Sequence, residues 1–191
     1  MPAIGLHTIT LGDTLIPLNT VLRWGNGNPV NLAAYTVAFK MELQDGTAEL
    51  AETSTGVTAN PTQSFTASAS TDLLACDDHG VEEGDQIIVA NSGGALPTGL
   101  AASTRYFAIQ VTPNSFALAT TPYGPAIDIT GAGSGTNTFY IVGSVQMDFA
   151  SANVDTAGIY YAWFTLTSSS EKKTLPEGDR WIEVRVVNAG Q

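Results

Sequence analysis

The sequence is poor in charge. Asp, Glu, Lys and Arg make up only 13% of its 191 residues, well below the usual quarter. Lys and Arg number 7 against 18 Asp and Glu, which gives a formal net charge of −11. Because such a chain repels phosphate backbones and anionic lipid surfaces, we expect neither nucleic acid nor a membrane as a partner.

Cysteine and long apolar runs are also scarce. The single cysteine, Cys76, excludes an internal disulfide, and we expect it to be a small buried residue. The opening residues, MPAIGLHTITLGD, contain neither a basic region nor an apolar run, so we expect no signal peptide and synthesis in the cytosol. No stretch approaches the ~20 apolar residues of a membrane-spanning helix.

Glycine, proline and short apolar stretches are abundant instead. The 19 Gly, 9 Pro and 43% hydrophobic residues, without a helical spacing of apolar positions, predict an all-β fold of many short strands. We predict strands at residues 5–24 with a break at 12–13, and at 35–43, 48–53, 65–76, 86–91, 105–111, 115–119, 126–129, 136–142, 144–149, 159–167 and 180–187.

Residues 153–166, NVDTAGIYYAWFTL, predict a corner followed by a strand. Asp155 and Gly158 supply the turn chemistry. Tyr160 follows them at the place where immunoglobulin-like sandwiches carry a tyrosine whose hydroxyl bonds back to the main chain. Alternation along the strand places Tyr160 on one face with Ala162, Phe164 and Leu166.

The middle of the chain differs from its two ends. Residues 62–142 contain one basic residue, Arg105, against seven acidic ones. Residues 1–61 plus 143–191 supply about the 100 residues that a seven-stranded sandwich needs. We therefore predict a discontinuous immunoglobulin-like β-sandwich from residues 1–61 plus 143–191. Residues 62–142 are expected to form a small β-barrel or sandwich module inserted in one of its loops, which closure entropy tolerates.

Both parts resemble bacteriophage proteins. Residues 12–46 (GDTLIPLNTVLRWGNGNPVNLAAYTVAFKMELQDG), 155–166 (DTAGIYYAWFTL) and 175–186 (LPEGDRWIEVRV) resemble the immunoglobulin-like N-terminal domain of phage baseplate upper proteins. Residues 71–89 (TDLLACDDHGVEEGDQIIV) and 95–138, with LPTGL and SFALA, resemble a β module found within phage structural proteins. The resemblance implies a non-enzymatic virion protein of the tail or baseplate, the neck or the head decoration. It also implies assembly in the host cytoplasm and docking on other virion proteins as a symmetric homo-oligomer.

Three aromatic residues are the predicted partner interface. If the strand at 159–167 neighbours the last strand, Tyr161, Trp163 and Trp181 lie together on the outer face of the sheet, and aromatic residues are enriched in interface cores. One alternative is a carbohydrate- or receptor-binding module of a phage tail, which the Tyr and Trp content permits. Another is a β-rich hydrolase.

One acidic loop has residues of metal-ligand type. Asp77, Asp78 and Asp85, near His79, offer the hard oxygens that Ca²⁺ prefers. Their spacing does not match an EF-hand, so a solvated acidic turn is the preferred interpretation, and we expect no metal and no cofactor. Cys76 lies three residues before His79, but no third group completes a nucleophilic site. We expect no enzymatic activity there.

A glycine-rich stretch superficially resembles a phosphate loop. Residues 131–136, GAGSGT, lack the lysine of that motif and do not open a predicted helix. We interpret this stretch as a flexible turn between strands.

Overall fold

The chain forms two compact units. The computed structural model describes residues 5–47, 49–178 and 180–188. One unit combines Met1–Asn60 with Gly143–Gln191, and the other is Pro61–Val142. We call them the split unit and the barrel unit. Helical structure in the described residues is limited to the short 3-10 helices Leu32–Ala34 and Ser151–Asn153, and neither could cross a membrane.

The described residues contain fifteen strands, and the predicted all-β class is confirmed. In chain order the strands are β1 (Leu6–Thr10), β2 (Leu18–Val21), β3 (Thr36–Leu43), β4 (Glu49–Thr53), β5 (Val57–Ala59), β6 (Gln63–Ala67), β7 (Leu73–Ala75), β8 (Gln86–Ser92), β9 (Arg105–Thr112), β10 (Ser115–Ala119), β11 (Thr136–Ile141), β12 (Ser144–Met147), β13 (Gly158–Thr167), β14 (Lys172–Leu175) and β15 (Ile182–Val187).

Two sheets build the split unit. The larger sheet has the order β1-β15-β13-β3-β4, with β14 also paired to β13, and the smaller has the order β2-β12-β5. β1 runs parallel to β15, whereas the other pairs are antiparallel. β13 pairs with β3 along eight positions, from Tyr160↔Leu43 to Thr167↔Thr36, so these two strands form the middle of the larger sheet.

One hydrophobic core joins the two sheets of the split unit. Phe39 on β3 packs edge-on against Phe164 on β13, with ring centroids 5.1 Å apart, and against Phe149 at 5.7 Å. Leu18 on β2 and Met147 on β12 bring the smaller sheet into the same cluster. Each large apolar side chain that is fully buried contributes about 1.5–3 kcal/mol relative to exposure, and this core therefore fixes which face of each strand points inward.

The barrel unit is a closed barrel with the strand order β10-β7-β6-β11-β8-β9. Phe116 and Phe139 meet at its centre with ring centroids 5.1 Å apart, and Phe65 lies 6.2 Å from Phe139. Because β9 and β10 also pair, the ring closes. Closure removes the open edges that single sheets expose.

In each unit, the strand at which the chain leaves and the strand at which it returns are paired with each other. In the split unit, Ala59 on β5 pairs with Val145 on β12, and the amide of Asn60 donates to the carbonyl of Ser144 at 2.8 Å. In the barrel unit, Gln63 on β6 pairs with Phe139 on β11. The barrel segment therefore leaves and rejoins the split unit at neighbouring strands.

Several strand predictions were wrong. The strand predicted at 65–76 is the hairpin β6–β7, because the chain turns at residues 68–72, where Asp72 adopts φ +59°. Residues 126–129 form no strand, although the amide of Ile127 donates to the carbonyl of Leu118. The run at 5–24 was predicted correctly, since it contains two strands, β1 and β2, on either side of the break at 12–13. β5 and β14 were not predicted. Residue 48 lies outside the described residues.

The glycine-rich stretch 131–136 is tightly packed, which corrects its interpretation as a flexible turn. A Cβ on Gly133 would lie 2.6 Å from the carbonyl oxygen of Ala95, and a Cβ on Gly135 would lie 2.5 Å from that of Ser92. Both glycines have positive φ, +78° and +71°. Only glycine permits this close approach and this backbone conformation together.

Candidate functional site

The larger sheet presents alternating faces along β13. Tyr160, Ala162 and Phe164 are at most 3% exposed. Tyr161 and Trp163 lie between them and are half-buried on the opposite face. The two faces differ because successive side chains of a strand point in opposite directions, so that every second residue faces the core and the residues between them face outward.

A tyrosine corner fixes the start of β13, as the sequence predicted. The hydroxyl of Tyr160 donates to the carbonyl oxygen of Thr156 at 2.9 Å. Burial raises the pKa of Tyr160 above its usual value, while an interaction with the side chain of Thr156, separate from the carbonyl bond, acts in the opposite direction. The hydrogen bond spans the turn and sets the register from which Tyr161 and Trp163 point outward.

Two of the three predicted interface residues, Tyr161 and Trp163, lie on β13, and the third, Trp181, directly precedes β15. The rings of Tyr161 and Trp181 are 4.4 Å apart between centroids, with planes inclined by 41°. The indole Nε1 of Trp163 donates to the carbonyl oxygen of Arg180 at 3.0 Å. We call these three residues the outer aromatic set.

One polar atom of the outer aromatic set is left without a partner. The indole Nε1 of Trp181 is buried and finds no hydrogen-bond acceptor among the described residues. An unsatisfied buried donor costs about 1–3 kcal/mol.

Paired charges flank the outer aromatic set. Tyr161 stands opposite Glu42 on β3 and Glu183 on β15. Glu183 accepts from Arg185 Nε at 2.6 Å, and Glu42 lies 3.3 Å from Lys40 Nζ. An apolar centre with a charged rim is the usual anatomy of a protein interface.

A second cluster of the split unit brings together residues that no sequence pattern predicted. Lys173 Nζ lies 4.8 Å from the centroid of the Trp24 ring, and Trp24 packs edge-on against Tyr35. The hydroxyl of Tyr35 donates to Glu171 Oε1 at 2.7 Å. That bond raises the pKa of Tyr35 and lowers the pKa of Glu171. No sequence spacing links these residues, because they meet only through the fold.

The acidic loop does not assemble a metal site. Asp77 and Asp78 are exposed, whereas Asp85 is buried and its Oδ2 accepts the amide of Glu82 at 2.9 Å. Within the part of the chain that the structure describes, no three His, Cys, Asp or Glu side chains are placed to hold a metal ion. The weak candidate set Asp77, Asp78 and Asp85 is therefore not brought together.

The side chain of His79 connects two segments of the barrel unit through hydrogen bonds. It is 2% exposed, its Nδ1 accepts the amide of Val81 at 2.9 Å, and its Nε2 lies 2.8 Å from the carbonyl oxygen of Thr112. Nδ1 is thus the acceptor of a neutral ring, and Nε2–H donates to Thr112. Phe116 packs edge-on against the imidazole, with centroids 5.0 Å apart. Both nitrogens are occupied structurally.

Cys76 faces an amide rather than a base. Its Sγ lies 3.4 Å from Oε1 of Gln63. Burial, followed by the nearby charge of Asp77, raises the pKa of the thiol. A raised pKa lowers the thiolate fraction and hence the nucleophilicity, so the Cys76–His79 spacing does not produce an activated thiol.

Comparisons with known proteins leave the class open. A scan of protein-family models gives no match, and a search of curated proteins gives none. Among solved structures, the chain is similar to a family 123 glycoside hydrolase from Clostridium perfringens, studied for glycolipid glycan hydrolysis. The TM-score is 0.35 and the identity 14%, over 96% of this chain and 22% of that one. A similarity this distant carries no argument about function, and the chain spans about a fifth of that protein's length.

Proposed function

We propose that this chain is a non-enzymatic structural component of a bacteriophage particle, in the tail or baseplate, the neck or the head decoration. In this proposal the split unit is an immunoglobulin-like sandwich that docks on another virion protein. The observation that carries the proposal is the outer aromatic set, Tyr161, Trp163 and Trp181, gathered on one sheet face. The sequence resemblance of both units to phage structural proteins supports it.

The energetics of docking suit this face. Aromatic anchors at the centre of an interface contribute about 2 kcal/mol or more each when truncated. Since the neighbouring charges Glu183–Arg185 and Lys40–Glu42 are already paired, docking beside them leaves no new unpaired charge.

The proposal is tested on purified phage particles from the host that encodes the chain. Mass spectrometry is expected to find the protein in the particles, and its absence would overturn the proposal. Alanine at Tyr161, Trp163 and Trp181 together is expected to reduce incorporation at least tenfold, because the loss of even one anchor of about 2 kcal/mol exceeds the ~1.4 kcal/mol that corresponds to a factor of ten. Tyr123→Ala, in the barrel unit at an 80% exposed position, is the matched control and should incorporate normally. Circular dichroism must show that both variants fold.

A carbohydrate-binding role is the second candidate, and one observation favours it. The half-buried Tyr161–Trp181 ring pair lies beside Glu183 and Arg185, so an aromatic surface and hydrogen-bonding groups meet at one place. Binding of the isolated protein to a glycan array, lost in Trp181→Ala, would favour this role over protein docking.

A hydrolytic role has a test of its own. The exposed carboxylates Asp77 and Asp78 are replaced together by asparagine, and His79 is left intact because it holds the barrel. Turnover of a glycoside substrate by the native chain that disappears in this variant would overturn the non-enzymatic proposal.

A further inference from the structure

β1 is an edge strand without the usual protection. In the described residues its only strand partner is β15. Proteins guard such edges with Pro, Lys, inward charges or bulges. The sequence from Gly5 to Leu11, GLHTITL, contains no charged residue and no proline. Residues 1–4 lie outside the described part of the chain.

The outward backbone groups of β1 can be identified from its hydrogen bonds. The carbonyl of Gly5 accepts from the amide of Glu183, and the amide of Leu11 donates to the carbonyl of Val187. Odd-numbered residues of β1 therefore bond to β15, and alternation directs the amides and carbonyls of Leu6 and Thr8 away from it. At the end of the strand, the outward carbonyl of Thr10 already accepts a hydrogen bond from the amide of Asp13.

Exposed apolar side chains gather beside the same edge. Of the six large hydrophobic residues exposed in the described chain, four lie within residues 6–16: Leu6 at 60%, Leu11 at 40%, Leu15 at 87% and Ile16 at 44%. Leu6 belongs to β1 and Leu11 follows it directly, while the backbone of Ile16 lies near enough to the His7 side chain to act on its pKa. Surface apolar residues that cluster in this way mark contact sites.

The distribution of charge favours a second copy of this chain as the partner of β1. A chain with a net charge of −11 can approach its own copy only where carboxylates are absent, and residues 1–12 contain no charged side chain. The opposite edge of the larger sheet, β4, includes Glu49 and Glu52 in its sequence. In the smaller sheet, edge strand β2 follows Pro17, and edge strand β5 has three residues and is followed by Pro61. Strand β14, whose only described strand partner is β13, carries the edge-protecting residues Lys172 and Lys173. β1 is thus the edge best suited to a second copy.

We infer that β1 pairs antiparallel with β1 of a second copy of this chain around a two-fold axis. The two larger sheets then become one continuous sheet. The axis passes through His7, so that Leu6 bonds with Thr8 of the partner subunit, and Thr8 bonds with Leu6 of the partner subunit. A two-fold contact of one patch with itself is the commonest form of homo-oligomer. This inference goes beyond the proposed virion role and does not rest on it.

The dimer is expected to be weak. A stable interface buries about 800 Å² on each partner, and four hydrogen bonds with four apolar side chains provide less. We therefore expect a dissociation constant in the micromolar to submillimolar range, measurable by sedimentation velocity on the full chain over a wide concentration series.

Two substitutions at Thr8 test the strand pairing. Thr8→Glu places one carboxylate in each hydrogen-bonded pair, opposite the apolar Leu6 of the partner subunit, where pairing costs the carboxylate part of its hydration. The two carboxylates also lie diagonally across the axis and repel each other. Thr8→Pro removes the outward amide while leaving the bonds to β15 intact. Each is expected to weaken dimerisation at least tenfold. Thr58→Glu, at an exposed position of edge strand β5, adds the same charge elsewhere and should change the constant less than twofold.

The outcomes separate the possibilities. A monomer at all concentrations overturns the inference, as does a dimer that both Thr8 variants leave unchanged. Rings or filaments would indicate that β1 pairs with β4 of the next copy, and these too would overturn it. If Thr8→Pro proves unfolded by circular dichroism, Thr8→Glu and Leu6→Lys carry the test, because both side chains point to solvent.

Discussion

Replacing Tyr160 by phenylalanine removes one oxygen atom from the corner of the split unit. The Tyr160 ring is 3% exposed and stays in the core, so only the 2.9 Å hydrogen bond to the carbonyl of Thr156 is lost. A hydrogen bond contributes about 0.5–1.5 kcal/mol net. Because Thr156 is exposed, water can reach its carbonyl in the variant. We therefore expect the free energy of unfolding of the split unit to fall by about 1 kcal/mol.

The assay can be confined to the split unit. All three tryptophans, Trp24, Trp163 and Trp181, belong to the segments that form it. Urea unfolding followed by tryptophan fluorescence therefore reports this unit alone. With a denaturant slope of about 1–2 kcal/mol/M for a unit of this size, the midpoint should fall by roughly 0.5–1 M.

Tyr161→Phe is the matched control. It removes the same oxygen one residue later, on the outer face, and should change the free energy of unfolding by no more than about 0.5 kcal/mol. Equal effects of the two substitutions would refute the reasoning that the corner hydrogen bond stabilises the turn. A loss above about 3 kcal/mol at Tyr160 would also refute it, because that size belongs to a cavity and not to one bond.

The pH dependence gives a second check on the same residue. Burial raises the folded-state pKa of Tyr160 above 10.0. The contribution of the neutral phenol is therefore complete below pH 10 and is lost as the pH rises through the folded-state value. The difference between the native chain and Tyr160→Phe should shrink in that alkaline range.

Three further outcomes follow from the structure. Replacing residues 61–142 by one asparagine creates an Asn-Gly turn between Asn60 and Ser144. We expect a soluble split unit with one fluorescence transition, and a product without cooperative unfolding would contradict its independence. The raised pKa of Cys76 predicts slow alkylation at neutral pH, with a midpoint above 9.0 in the rate–pH profile; a midpoint below 8.5 would count against it. Burial lowers the pKa of His7 below 6.5, so its stabilising contribution is full above pH 6.5 and is lost as the pH falls toward the folded-state value. Subtracting the denaturation profile of His7→Gln should isolate that slope, and a flat difference would refute it.

A strand that alternates between core and solvent can be predicted from the sequence alone. β13 carries such an alternation, and the structure buries Tyr160, Ala162, Phe164 and Leu166 on the expected face. The corner before Tyr160 could be predicted because Asp, Gly and Tyr each have a defined role at such a turn.

Prediction failed where structure depends on distant partners. The turn between β6 and β7 has no Gly or Pro, and Asp72 adopts a positive φ in their place. β14 is the polar run KKTL, whose strand character comes from its pairing with β13. The cluster of Trp24, Lys173 and Glu171 unites segments far apart in sequence, and no local pattern specifies it.

The pairing of β6 with β11 has a practical consequence. The first and last strands of the barrel unit lie next to each other, with Gln63 opposite Phe139, so the excised segment would begin and end at one spot. A module with adjacent ends can be grafted into a foreign hairpin turn without stretching the recipient, and loop-closure entropy opposes this only weakly. The barrel unit is therefore suited to insertion into other proteins, and a recipient protein needs only two neighbouring strand ends to accept it.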